Sequence, residues 1–263
     1  MGIGIDEWDA HAQAYATHSE RICGAYANAL LDAIAPTVQG LRLLDVACGA
    51  GVVAHAAHKR GARVTATDYS AEMVRLCAAT AGEGMVCEVA DGSNLPYSAQ
   101  FDLVTCNMGV IHLPDMAAGL RGFHRALLPG GAAVFSAWTE HEANEGMTII
   151  PKLALQLCGV AKKERKKMAS PEEWKAMTED SGFVDVSVSL SVQLMAFENA
   201  DSYWHAFVDG TPGGTQAMVR ALAEEEQAKL KTALVEHLTE RFPAGPVQLA
   251  FAALIVRGSK AKE

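Results

Sequence analysis

Positive charge is scarce in this chain of 263 residues. Its 22 Lys and Arg face 31 Asp and Glu, a formal charge of −9, which disfavours nucleic acid and anionic membrane as partners. No apolar run reaches membrane-spanning length. The start, Met1-Gly-Ile-Gly-Ile-Asp-Glu-Trp-Asp9, is acidic, poor in Arg and without a signal-peptide core, so the expected location is cytoplasmic. Six cysteines are present, at 23, 48, 77, 87, 106 and 158. None forms a Cys-x-x-Cys pair and no His stands at zinc spacing, so no metal site is expected and the cysteines read as reduced core thiols. Internal repeats and low-complexity tracts are also missing.

Apolar residues, by contrast, are plentiful. They make up 50% of the chain against 20% charged, enough for a sizeable core in one large domain or one domain with a small cap. The stretch that organises the rest is Leu41-Arg-Leu-Leu-Asp-Val-Ala-Cys-Gly-Ala-Gly-Val-Val-Ala54. Leu41, Leu43, Leu44 and Val46 read as a strand buried on both faces. Gly49 and Gly51 follow, and then a helical pattern begins. Glycine permits close approach of backbone to a ligand, and a helix N-terminus behind the turn offers free N–H groups.

Further strands are expected near 62–67, 85–90, 101–107, 132–138, 183–196 and 247–256, seven in all. Helices are expected near 22–35, 52–60, 70–80 and 115–128, the third capped by Ser70 and the fourth by Asp115. From residue 41 to 138 strand and helix alternate, the pattern of a doubly wound parallel sheet. After residue 140 the alternation breaks. A helical stretch near 144–168 ends in the charge run 162–167, which reads as a solvated face. Ser170-Pro-Glu-Glu173 is a capping box with proline at the first helical position. Helices near 199–208 and 215–241 follow, separated by a turn-rich loop. The last two strands lack an ordinary βα crossover, so they are expected to pair antiparallel.

Ligands of such sheets bind beyond the carboxyl ends of the strands. Asp45, Asp68, Asp91 and Asn107 each stand at such an end. That coincidence argues for one shared site.

These residues resemble the class I S-adenosylmethionine-dependent methyltransferases, and within them the small-molecule group that includes ubiquinone/menaquinone-biosynthesis enzymes. The resemblance is close over about 41–138 and rests on five segments: Asp45–Gly51, Asp68, Ala90–Pro96, Asn107–Asp115 and Arg125–Gly131. It implies a Rossmann-like, mostly parallel seven-stranded α/β sheet with an antiparallel last strand and helical lids. The chain is then one methyltransferase domain, with core 36–139 and 171–257 and lid segments 1–35, 140–170 and 198–242. The implied cofactor is S-adenosylmethionine. Its implied contacts are Tyr15, Asp45, Ala47, Gly49, Gly51, Asp68, Tyr69, Met73, Asp91, Gly92, Ser93, Asn107 and Met108. Asp68 suits the ribose hydroxyls, Asp91 the adenine amine, the Gly49–Gly51 turn the amino-acid part and Tyr15 the methionine carboxylate. Ala47 departs from the glycine common in the family, and Ser98-Ala99-Gln100 from a usually acidic turn.

The implied partner is a small, apolar or aromatic methyl acceptor; its reacting atom and the oligomeric state are left open. His112, just beyond the fourth strand, is the candidate base should the acceptor have to lose a proton. His11, His18, His141 and His205 are weaker candidates. Residues 6–20 carry Trp8, His11, Tyr15 and His18 without a strong apolar period, and are expected to order only over bound cofactor. Two alternatives stand. Gly49-x-Gly51-x-x-Ala54 with Asp68 also fits a nicotinamide-dinucleotide fingerprint, although no Tyr-x-x-x-Lys pair accompanies it. A non-catalytic protein on the same fold is the other.

Overall fold

A computed structural model describes residues 4–140, 142–160, 168–210 and 213–262. His141 and the charge run 162–167 lie outside the described residues. The chain opens with α1 (Ile5–Ala14), a π turn (Tyr15–Ser19) and α2 (Glu20–Ile34). It continues through β1 (Arg42–Val46), α3 (Val52–Lys59), β2 (Arg63–Asp68), α4 (Ala71–Ala79), β3 (Val86–Val89), β4 (Phe101–Asn107), α5 (Met116–Ala126) and β5 (Leu127–Trp138). The remainder is α6 (Ile149–Cys158), α7 (Pro171–Asp180), β6 (Val184–Phe197), α8 (Ala200–Trp204), α9 (Gly214–Arg220), α10 (Glu224–Arg241) and β7 (Val247–Ser259).

The seven strands form one sheet in the order β3-β2-β1-β4-β5-β7-β6. β1 to β5 run parallel, so Val46, Asp68, Val89, Asn107 and Trp138 end at one edge of the sheet. β7 is antiparallel to both neighbours. One face carries α2, α3, α6, α8, α9 and α10, packed through Tyr26, Leu30, Leu31, Leu234, Leu238 and Phe251. The other carries α5 and α7 through Phe123, Phe135 and Trp174. Burial of this size is the main stabilising term in folding. No helix among the described residues is long and apolar enough to cross a membrane.

Caps set the expected boundaries. Ser70 and Asp115 accept the N–H groups of Met73 and Ala118, and Ser170 with Glu173 completes the capping box. Two expectations need correction. β5 starts five residues before Ala132, because Leu127 already pairs with Phe101 and the Pro129–Gly131 stretch is held against Lys260. The helix expected over 215–241 is two helices, α9 and α10, broken at Ala221–Ala223 where the Ala223 N–H is capped by Glu226. Residues 5–19 are helical, and polar and ring contacts anchor them where an apolar period is lacking.

Those contacts are specific. Asp9 Oδ1 accepts from Ser70 Oγ and from the Glu72 N–H at 3.3 Å, tying α1 to the start of α4. The Trp8 ring meets Tyr15 and His112 edge-on, at 5.8 and 5.4 Å between centroids. A second π turn, His205–Asp209, packs against the first. Ser19 Oγ donates to the Ala206 carbonyl at 2.7 Å, and Gly210 leaves the room that Ser19 and His18 occupy.

Candidate active site

The site is built from the turns at the carboxyl ends of β1, β2 and β4. Beyond β1, Ala47 takes a left-handed backbone (φ 52°), followed by Gly49 (φ 57°) and Gly51 (φ 101°). Three such residues in five turn the chain back so that α3 starts directly above the strand. A Cβ on Gly51 would stand 2.6 Å from both Cys77 Sγ and His55 Cε1, so only glycine fits there. The turn is bound to β2 twice. The Cys48 N–H donates to the Thr67 carbonyl at 3.0 Å, and the Gly49 N–H to Asp68 Oδ2 at 2.9 Å.

Three carboxylates surround this turn, and none of them forms an ion pair among the described residues. Asp45 is 1% exposed; Oδ1 accepts from Thr105 Oγ1 at 2.7 Å and Oδ2 has no partner. Burial is the first cause that lifts its pKa to about 7. Asp68 also accepts from the Ser70 N–H at 2.9 Å. Burial raises its pKa too, against the pull of the backbone N–H groups it holds. Glu20, at the start of α2, was missed by sequence reasoning. Its carboxylate faces the N–H groups of Val52 and Ala50, which hold its pKa down while burial raises it more strongly. Its Oε1 is buried without a partner. The ion pairs formed among the described residues use other carboxylates. Nothing local in the sequence marks Glu20, because its partners lie thirty residues on.

The other predicted residues take up these places. Tyr15 lies on the turn, its Cε1 3.5 Å from the position of a Cβ on Gly49. Burial first, then the neighbouring Cys23, Glu20 and Asp68, keep its phenol protonated. Tyr69 is 41% exposed beside Asp68, while Met73 is buried under it. Asp91 Oδ1 accepts from the Ser93 N–H at 2.8 Å, and Ser93 Oγ accepts from the Asp115 N–H at 3.0 Å. Gly92 packs against Leu113 and Val46. The Asn107 amide is engaged at both ends, donating to the Cys23 carbonyl at 2.9 Å and accepting from Ser136 Oγ at 2.7 Å. Met108, also left-handed (φ 57°), donates its N–H to the same hydroxyl.

His112 ends a 3₁₀ turn beyond β4, half-buried against Trp8. Desolvation lowers its pKa to about 4, so the imidazole is neutral at pH 7 and a weak base. His11 and His205 bond within their own helical segments, to the Glu7 carbonyl and to Asp209. His18 stacks near His205. No cluster of three metal-binding side chains occurs among the described residues. A hollow lined by Arg42, Arg63 and Phe101 lies at the opposite end of the strands and holds none of the candidate residues.

The family described as "methyltransferase domain" matches residues 44–135, the span from β1 into β5. Over that span the chain is similar to a methyltransferase domain. A ubiquinone biosynthesis O-methyltransferase of Psychrobacter arcticus is 30% identical over 152 residues, covering 55% of this chain and 59% of its own length. The chain thus spans about three-fifths of that curated relative. Among solved structures, phosphoethanolamine N-methyltransferase 2 of Haemonchus contortus, in complex with phosphomonomethylethanolamine and S-adenosylhomocysteine, superposes with a TM-score of 0.57. It is 15% identical and covers 98% of this chain and 58% of its own. An S-adenosylmethionine-dependent methyltransferase of Mesorhizobium loti gives 0.50 at 23% identity, covering 90% of this chain and 98% of its own. These structural likenesses speak to the fold.

Proposed function

We propose that this chain binds S-adenosylmethionine at the carboxyl ends of β1, β2 and β3 and transfers its methyl group to a small, apolar or aromatic acceptor. The observation that carries the reading is Glu20 at the N-terminus of α3. A dinucleotide fold needs that N-terminus free for a pyrophosphate. Here a carboxylate faces the same N–H groups, and like charges would repel. A ligand with a sulfonium and an ammonium group meets the opposite situation among Glu20, Asp45 and Asp68. Asp68 stands where it can accept ribose hydroxyls with the lone pairs its two backbone bonds leave free. Asp91, two strands away from β1, is placed for the adenine end.

The sulfonium activates the methyl group when the cofactor is bound. What remains for the protein is to align the acceptor and exclude water. Trp8 and Tyr15 suit the second task, and a ligand's amino-acid end on the Gly49 turn displaces the Tyr15 ring, so α1 acts as a lid. Neutral His112 can take a proton from an acidic acceptor, as a modest contributor rather than the source of catalysis. The name of the relative, an O-methyltransferase, favours an oxygen acceptor.

Calorimetry with S-adenosylhomocysteine and NAD tests the cofactor. The expected result is binding of the first and none of the second; tighter binding of NAD overturns the reading. Methyl transfer from labelled S-adenosylmethionine to a panel of phenols separates an enzyme from a binding protein on the same fold.

A further inference from the structure

Three thiols from three elements meet beneath the Gly49–Gly51 turn. Cys77, buried on α4, is the middle one. Its Sγ lies 3.5 Å from Cys87 Sγ on β3, and its other sulfur neighbour is Cys48 of the turn. His55 of α3 closes the group, with Nε2 4.0 Å from the Cys77 sulfur. That sulfur also occupies the space below Gly51, 2.6 Å from where a Cβ would stand. Packing alone accounts for a buried thiol. Two sulfurs in contact have a reaction open to them as well. A disulfide needs them at about 2.05 Å, so the closing movement is about 1.5 Å, the size of a side-chain rotation.

We propose that Cys77 and Cys87 are a redox-modification site, at which a low-molecular-weight disulfide converts the two thiols into a reversible internal disulfide that loosens the Gly49–Gly51 turn. The two cysteines divide the work. Cys87 is partly exposed where Cys48 and Cys77 are buried, so Cys87 meets the reagent. Its Sγ, having lost its proton to solvent, attacks one sulfur of the reagent. A mixed disulfide forms and the first small thiolate leaves. Cys77 Sγ then attacks Cys87 Sγ, and the second small thiolate leaves. The two protons pass to the two small thiols, so two protein thiols are oxidised and one external disulfide is reduced. Hydrogen bonding from Cys48 first, and then from Cys87, lowers the Cys77 pKa against the burial that raises it, which suits Cys77 to the second attack. Burial and the neighbouring Cys77 raise the Cys87 pKa, so the first attack sets the rate. Closing the bond draws the Cys77 sulfur toward β3, away from Cys48 and Gly51, and the packing below the turn goes with it.

The full chain is treated with glutathione disulfide, its remaining thiols are alkylated, and it is cleaved after Glu83, which separates Cys77 from Cys87. Mass spectrometry should find the two peptides joined, with the loss of two hydrogens. Hydrogen exchange across residues 48–55 should be about threefold or more faster in the oxidised chain, and dithiothreitol should reverse both changes. Cys87→Ser should leave exchange in that segment insensitive to the reagent. Free thiols at both positions, a mixed disulfide that stops at Cys87, or a Cys48–Cys77 link overturns the site. A Cys77–Cys87 link with unchanged exchange overturns its coupling to the turn, as does a Cys87→Ser chain that still responds. Should that variant fail to fold, peptide mapping and exchange on the wild-type chain decide both points alone.

Discussion

Ala47 holds a left-handed backbone at φ 52° beside Gly109, whose missing side chain leaves room for the Ala47 methyl group. An L-residue in that region costs roughly 1–2 kcal/mol, of which glycine's extra freedom in the unfolded chain returns part. Ala47→Gly should therefore stabilise the protein by about 1 kcal/mol, read as a higher urea midpoint at unchanged slope. The residue was singled out from sequence as a departure, but its small size hid the reason, which is conformational. His112 gives a pH signature. Its pKa falls to about 4 in the fold, by desolvation, from the 6.5 of a free imidazole. Below pH 6.5 the unfolded chain takes up the proton and the folded one does not, so stability falls as pH drops from about 6.5 to 4. His112→Asn should flatten that part of the melting-temperature profile, worth on the order of 3 kcal/mol, while leaving the profile above pH 7 unchanged. An equally steep profile in the variant would show that His112 is not the group responsible.

At the level of the element, α1 is held by one carboxylate and two rings instead of an apolar stripe. Asp9 reaches Ser70 and the Glu72 N–H, and Ser70 in turn caps α4. Asp9→Ala should cost about 1 kcal/mol, as the loss of a cap does. It should speed hydrogen exchange across residues 5–14 without changing the sheet; exchange unchanged in that helix would mean the rings alone hold it. The βα half of the chain was legible because each strand end carries its own signal, an apolar run broken by Asp, Gly or Asn. Ser70, Asp115 and Ser170 were legible for the same reason, since caps are local. The order of residues 5–19 was not, because Asp9 finds its partner sixty residues on. Glu20 was missed likewise: its meaning comes from the N-terminus of a different helix. The break at Ala221–Ala223 has only alanine, leucine and glutamate around it, all good helix formers.

Across the whole molecule, the proposed ligand would bridge three strands of one sheet and the helix α1 that lies over them. Anything that binds the folded chain alone stabilises it by mass action, by about 2.7 kcal/mol at a hundred times the dissociation constant. S-adenosylhomocysteine at that ratio should raise the melting temperature by several degrees, and NAD at equal concentration should leave it unmoved. A shift with NAD and none with the thioether would return the chain to the dinucleotide class.

β7 lies between β5 and β6, antiparallel to both. The strand that completes the sheet is thus made after both of its neighbours. Until residues 247–259 emerge, β5 offers an open edge, and β6 has no neighbour at all. The Val134–Trp138 stretch of β5 and the Met195 and Phe197 side chains of β6, buried in the complete fold, are then free to meet other nascent chains. The first half can form its five parallel strands early, yet the edge of β5 and the whole of β6 stay unpaired until β7 is made. A stop codon just before Val247 should therefore send the product into inclusion bodies, although every residue from Tyr15 to His112 that surrounds the site has already been made.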